Sequence, residues 1–472
     1  MWSRRFRLRF LSVIGIPIFV VTASCGRHLN NADAVRAALA QGSPLVELPA
    51  GKIRLDRPLI LPKGVTNVEL RGNSAGSILE LDPGFEGRAA IEVDTASNVT
   101  LSGFAIHGDR TDMKSDWYLP LKEAAFADYY TANGIVVRNS SNVTIRGVDF
   151  SRIRAFPIII NATSGAMIES VSIWNSGTLN RDGRNNTTGG ILIEEGSSGF
   201  EVRNSAISRV AGTAIWTHSY ARSPRQSDGI VSGNTIGTVA RDAIQIGHAT
   251  RVRVENNRGA DIGFPADYID FAGYGTPVAI DTAGNVDHTI YANNVFNRVN
   301  GQCIDLDGFH DGEVTGNTCS NPLEAAGWLG LHFGILFGNH DPGMTSTNVT
   351  VTGNTIEGFA YGAVFLIGDH HDIERNYFLD LNLAHCGSQP VPAKCNALPN
   401  EPDALRSGIY LSNNGGRPTA TRDNSIANNF IDGFGIPEHC IEAKPGVDIK
   451  ANYVGKNMCR APGSEQERHV RR

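Results

Sequence analysis

One repeat constrains this chain more than any other feature of its sequence. Residues 301–319, GQCIDLDGFHDGEVTGNTC, contain a complete unit. It has a short strand over 303–307, a polar turn, a second strand opening at Val314, and a Gly-Asn corner at Gly316-Asn317. Variants of the unit return along most of the sequence. Their first strands are expected at 135–137, 158–160, 191–193, 215–217, 244–246, 280–282, 304–306, 335–337, 364–366, 409–411 and 441–443. Corner asparagines are expected at Asn234, Asn257, Asn293, Asn317, Asn354, Asn376, Asn429 and Asn452. Where nothing interrupts, the spacing is roughly 22 to 24 residues, a length known for solenoid repeats.

A unit of that size cannot bury its own apolar side, so successive units must stack. Stacked asparagine side chains can hydrogen-bond along a column, and asparagine tolerates the left-handed backbone that tight corners need. A length of 472 residues would by itself allow two or three domains, but a solenoid grows as one continuous core. The apolar fraction of 41% suits a globular protein. A formal charge of −6, with no basic stripe, argues against a nucleic-acid partner. The Asn-x-Thr triplets at Asn98, Asn142, Asn161 and Asn348 match a glycosylation pattern, yet mostly coincide with the turn-to-strand step of the repeat.

The sequence starts with Arg4, Arg5, Arg7 and Arg9, then an apolar run over 10–21, then Thr-Ala-Ser-Cys. Residues 1–25 therefore read as a signal peptide. Cys25 resembles a bacterial lipoprotein attachment site, which would give a lipid anchor, and cleavage after Ala23 or Ser24 is the alternative. The expected location is periplasmic, outer-membrane lipoprotein or secreted. The apolar run is short of the roughly 20 residues that span a membrane. Seven cysteines become six once Cys25 is lipidated or removed, an even number suited to an oxidising compartment. Cys386 with Cys395, and Cys440 with Cys459, are near in sequence and form plausible pairs. Cys303 and Cys319 fall on inward positions of one unit, where they either bond or simply pack.

After the leader, NADAVRAALA (31–40) reads as a short amphipathic helix with Asn31 or Asp33 near its N-cap. SPLVELPAGKIRLDRPLILPKGVTNVELRGN then alternates apolar residues in short strands broken by Pro-Ala-Gly and Pro-Lys-Gly. This resembles the start of pectin-lyase-like right-handed parallel β-helices, in which a helix caps the first coil and hides its unpaired edges. The expected fold is all-β: a single-stranded right-handed parallel β-helix of about a dozen coils over residues 26–460, with an N-terminal capping helix and a basic tail at 461–472.

Insertions interrupt the repeat. Those at 108–133, 175–189, 258–277, 320–331 and 379–406 precede a first strand, and those at 218–227, 339–348 and 413–423 follow one. They are expected to wall both flanks of the first-strand sheet and leave a groove along its outer face. Residues that alternate with the inward Ile, Val and Leu positions would line that groove. Polar and aromatic groups concentrate in the middle coils: Glu194, Trp216, His218, Gln245, Asp281, Asp305 and Asp307. Asp242 stands just before a strand, and His248 and His310 just after one.

Parallel strands lie about 4.8 Å apart and residues i and i+2 about 6.6 Å apart. Asp281 is thus expected against Asp305, with Asp307 roughly 8 Å away on the diagonal. Two carboxylates at the closer spacing repel, and one gains the raised pKa that a general acid needs. The wider spacing falls within the roughly 6.5–9.5 Å of inverting glycosidases. Asp281, Asp305 and Asp307 are therefore the candidate catalytic set. Trp216 offers a face for a sugar ring, and His218, Asp242, Gln245, His248, His310 and Glu194 are candidate substrate contacts. This chemistry requires no cofactor, and a Ca²⁺ ion held by the three aspartates is the alternative use of the same oxygens. His370-His371-Asp372 and His340-Asp341 look like metal ligands by composition, but they fall in turns, where solvated side chains are expected.

Polygalacturonases of the superfamily that this chain resembles place catalytic aspartates on the first-strand sheet. Their Asn-Thr-Asp-Gly step is matched at residues 240–243, Ala-Arg-Asp-Ala, by Asp242 alone. Their paired Asp before Cys-Ile is Gly301-Gln302 here, and neither Gly-His-Gly nor Arg-Ile-Lys is present. The resemblance implies an exported enzyme that hydrolyses a polysaccharide or oligosaccharide other than by orthodox pectin hydrolysis. Lyases of the superfamily use Arg or Lys as base, often with Ca²⁺. The middle coils carry neither on an outward strand position, which leaves Arg222, Arg225 or Arg258 on neighbouring segments. A uronate lyase or C5-epimerase is thus one alternative, and a non-catalytic glycan-binding or exopolysaccharide-assembly surface protein is another.

Overall fold

The computed structural model describes residues 19–20, 31–120, 124–220, 223–268, 277–321 and 332–463. Most of the leader, Cys25, Arg222 and the tail from residue 464 lie outside the described residues. The strands stack into three parallel sheets of fifteen, fourteen and fourteen strands. That is slightly more than the dozen coils expected, because the short strands around Pro49, Pro58 and Pro62 belong to the same stack. The fifteenth strand is Phe19–Val20, which pairs with Val46 and Glu47.

Inside the coil, β-branched side chains form continuous columns, the packing that such residues favour on a pleated surface. One column runs through Ile135, Ile158, Ile191, Ile215, Ile244, Ile280, Ile304, Ile335, Val364 and Ile409, all buried. Helix Asn31–Ala40 closes the N-terminal end of the core with Ala32, Val35, Ala38 and Leu39. Asn31 and Asp33 lie within its first turn, where Asp33 accepts from Arg36 at 2.7 Å and Arg57 at 3.1 Å.

The asparagine column forms, displaced from its expected place by one residue at one coil and by five at another. Asn234, Asn257, Asn294, Asn317, Asn354, Asn376, Asn429 and Asn457 are linked in series, each Nδ2 donating to the next Oδ1 at 2.9–3.0 Å. Asn294 and Asn457 stand where Asn293 and Asn452 were expected. The corner has two positions with different tasks. The first takes the left-handed backbone, as Asn293 (φ 56°), Gly316 (φ 63°) and Gly353 (φ 66°) do, and the second turns inward and stacks. Asn452 instead accepts from Asn424 at 2.8 Å, in a separate step.

Three disulfides form: Cys303–Cys319, Cys386–Cys395 and Cys440–Cys459, with Cα separations of 6.0, 5.4 and 5.8 Å. The first lies inside the coil that carries Asp305 and Asp307. The insertion at 108–133 folds back over the first-strand sheet. Phe126 and Tyr130 from it, with Trp117 beside them, pack on the outward-facing Val136, Ile159 and Leu192. The apolar outward residues of those coils are thus a second, smaller core rather than exposed surface.

Candidate active site

Strand register sets the order of side chains along the outer face. Leu192 lies beside Trp216, Trp216 beside Gln245, and Gln245 beside Asp281. Ile280 pairs with Ile304, which places Asp305 next to Asp281, and Asp305 in turn pairs with Leu336. Asp307 pairs with Ala283, on the diagonal from Asp281. The strands involved, Val278–Asp287 and Gln302–His310, are unusually long at ten and nine residues and carry the sheet through the corner.

Asp281 and Asp305 are only 5% and 8% exposed. Burial raises both carboxyls well above the ordinary range. The neighbouring carboxylates push the same way, Asp242 first for Asp281, where Arg241 opposes it, and Asp281 first for Asp305. Gln245 Nε2 donates to Asp281 Oδ2 at 2.5 Å, while no described residue donates to the buried Oδ1 of Asp305. Asp307 is more open. It accepts from both the backbone N–H and Nδ1 of His340 at 2.9 Å, and this contact raises the His340 pKa. Gly338 makes room for it, since a Cβ there would stand 2.8 Å from Asp307 Oδ1.

Four of the expected substrate contacts are placed elsewhere by the structure. Asp242 has no exposed surface. It accepts from Thr213 Oγ1 at 3.3 Å and the Val278 N–H at 2.9 Å, and pairs with Arg241 Nε at 3.2 Å. It acts on Asp281 through charge, from beneath the floor. Gln245 is similarly buried and orients Asp281. Glu194 is also fully buried, its oxygens taken by the N–H groups of Phe126 (2.9 Å) and Ala127 (2.8 Å) and by Asn161 Nδ2 (3.0 Å). Strand alternation points it outward correctly, but the insertion lies on top of it. His310, the last residue of its strand, is held between Asp311 (2.8 Å) and Asn285 (2.9 Å).

Trp216 and His218 remain partly exposed, with ring centroids 5.4 Å apart in an edge contact. Burial lowers the His218 pKa to about 4. His248 is half-buried, and its Nε2 lies 3.3 Å from the Ser223 carbonyl. Glu194, Glu195 and His218 bring ligand-type atoms within 4.8 Å of one another, but the three N–H donors on Glu194 make it a clamp for the insertion rather than a metal ligand. His371 is a buried structural group, accepting from the Val349 N–H at 3.2 Å and facing the Ile367 carbonyl at 3.0 Å, not a solvated turn residue.

Two residues of the site lie outside the expected set, and for His340 the expectation was a solvated turn side chain. His340 stands in a turn and reaches Asp307 across 33 residues of sequence. Arg241 lies before its strand, where the in-out alternation has not begun, and it pairs with both Asp242 and Asn185. The adjacent Arg-Asp pair at 241–242 was the only available signal.

The family description that matches the chain, right handed beta helix region, covers residues 63–273. The chain is a right-handed parallel β-helix. No curated protein matches it by sequence. Among solved structures, this β-helix is similar to PfbA, a surface adhesin of Streptococcus pneumoniae, at 15% identity and TM-score 0.52, covering 84% of this chain and 85% of that one. It is also similar to the catalytic domain of a GH87 alpha-1,3-glucanase in complex with tetrasaccharides (13% identity, TM-score 0.56, 92% and 67% covered). A tailspike protein variant of E. coli bacteriophage HK620 in complex with a hexasaccharide is a third (11% identity, TM-score 0.57, 92% and 77% covered). At these identities the likeness is one of fold, and function rests on the site itself.

Proposed function

We propose that the chain is an exported glycoside hydrolase. One observation carries this: two buried carboxyls, Asp281 and Asp305, stand side by side with raised pKa values, and a third, Asp307, follows two residues on from Asp305 on the same face of its strand. Asp305, whose Oδ1 receives no hydrogen bond from a described residue, gives its proton to the glycosidic oxygen as the bond to the anomeric carbon breaks. Asp307 takes a proton from the water that attacks that carbon on the opposite face. The products are a new reducing end and a free hydroxyl, and the i, i+2 spacing of roughly 6.6 Å between Asp305 and Asp307 stands at the short end of the range for inversion. Asp281 keeps Asp305 protonated through its charge, and Gln245 fixes Asp281.

Three considerations favour hydrolysis over a uronate lyase or epimerase. Arg241 is paired with Asp242 and Arg225 with Asp287, so neither is placed as a base. Three acids crowd the floor with Asp242 buried beneath them, an unfavourable setting for a substrate carboxylate. Gln245 and His340 already donate to Asp281 and Asp307, two of the three aspartates that a Ca²⁺ ion would use, so chelation should leave activity unchanged. Two glycan-bearing β-helix structures among the similar folds are consistent with a carbohydrate partner. The basic-apolar leader and three disulfides support export. A polysaccharide panel with product chromatography and ultraviolet detection tests the proposal. New reducing ends without unsaturated products are expected. Unsaturated products would point to a lyase, and binding without turnover to a glycan-holding surface protein.

A further inference from the structure

The outer face that carries the aspartates is covered on both sides along the stack, and a cleft there would be closed at both ends. Toward the N-terminus, Val136, Ile159 and Leu192 face outward yet are at most 1% exposed. Phe126 and Tyr130 cover them, and Phe126 stands edge-on to Trp216 with centroids 5.2 Å apart. Glu194 fastens this cover by accepting the first N–H groups of helix Phe126–Tyr129.

Toward the C-terminus, Phe365 and Tyr410 continue the floor beyond Leu336 and are 7% and 1% exposed. Tyr410 lies beside Glu401 and Asp403 of the segment that contains the Cys386–Cys395 disulfide, and Phe365 packs between Phe333 and Tyr410. Tyr361 ties that segment down by donating to the Lys394 carbonyl at 2.7 Å. Ser412 and Lys444 do the same by holding Glu401 at 2.9 and 2.7 Å. Side walls stand beyond the strand ends, where His340 reaches onto Asp307 and Tyr220 leans on His218 with centroids 5.7 Å apart.

Between the covers, the floor runs from Trp216 through Gln245, Asp281 and Asp305 to Leu336. At one strand spacing per step this is about 19 Å. The acids are not central in it. Beyond Asp305 one strand remains before the C-terminal cover, whereas toward the other end the floor continues to Trp216. A polymer lying along the stack would have to pass through Phe126 or through the disulfide-bearing segment.

We infer that the cleft takes the end of a glycan chain, or a short oligosaccharide, and removes a short unit held between Asp305 and the C-terminal cover. The cleavage step rests on the hydrolase proposal, but the restriction to chain ends rests on the covers alone. The probes are linear α- and β-glucans, fructans and galactans, each as polymer, as short oligosaccharides, and as polymer with both ends chemically blocked. With the wild-type protein, one short product should be present from the first time point, viscosity should fall slowly, and end-blocked polymer should resist. A ladder of intermediate lengths with rapid loss of viscosity overturns the inference. Binding to Asp305→Asn, followed by calorimetry, separates the two ideas. Should the wild type cleave nothing while this variant binds short oligosaccharides and not end-blocked polymer, hydrolysis falls and the chain-end restriction stands. Binding of end-blocked polymer as tight as that of oligosaccharides, or binding of neither, overturns the restriction.

Discussion

Asp305 is the residue on which the chemistry turns, and its burial allows opposite expectations for activity and stability. Asp305→Asn keeps size and shape but removes the transferable proton, so kcat should fall by about 10²–10⁴-fold. The same substitution should not harm the fold. A carboxyl whose folded pKa lies above its unfolded value near 4 favours folding less and less as pH rises through the folded pKa. Asn does not titrate, so the melting temperature of the variant should gain on that of wild type between pH 5 and pH 8, as measured by calorimetry at a series of pH values. Equal losses of kcat and of melting temperature would mean that Asp305 is structural. Asp281→Asn makes a finer point. The Asp281 charge is one of the causes that raise Asp305, so removing it should shift the alkaline limb of the pH–rate profile to lower pH. An unmoved limb would show that the two carboxyls do not share a proton equilibrium.

Elements rather than single residues decide what could be read in advance. The stack was legible because Ile280 and Ile304 are 24 residues apart with nothing inserted, so the strand register, and with it the Asp281–Asp305 contact, followed from counting. At Asn293 and Asn294 the corner was legible only to within one residue, since either of its two positions accepts asparagine, and at the last coil Asn452 was expected in place of Asn457. Paired substitutions test that assignment. Asn317→Ala leaves the buried Nδ2 and N–H of Asn294 without their acceptor and the Tyr291 carbonyl without a donor, so about 3 kcal/mol should be lost in urea unfolding. Asn293→Gly, one coil earlier at the exposed left-handed position, should be close to neutral. The reverse ranking would put the column back on the first corner residue. Burial of the site was not legible at all. Glu194 is covered by residues 67 and 68 positions earlier in the chain, and no local pattern announces a contact of that span.

At the scale of the whole molecule, buried carboxyls should set the pH of greatest stability. Asp94, paired with Lys63 and Asn139, has its pKa lowered to about 2, and Asp287 is lowered further by Arg225 and Thr250. Such groups stabilise the fold above their unfolded pKa near 4 and lose that contribution as pH falls toward their folded values. Glu194, Asp281, Asp305 and Asp242 are raised, chiefly by burial, and act in the opposite sense. Glu194 sets a defined window, because its folded pKa is about 7 against an ordinary value of 4.5. Its share of stability is complete below the ordinary value and is lost as pH rises to about 7. Thermal unfolding should therefore show a maximum near about pH 5 and a decline toward pH 8. Glu194→Gln should melt lower at every pH, because an amide cannot accept from both Phe126 and Ala127, yet its decline between pH 5 and pH 7 should be shallower than that of wild type. The slope is the deciding quantity, since any damaged core would lower the curve, but only removal of a titrating group flattens it. An unchanged slope would show that the carboxyl fastening the N-terminal cover keeps its charge throughout, and that the cover is equally tight in acid and at neutrality.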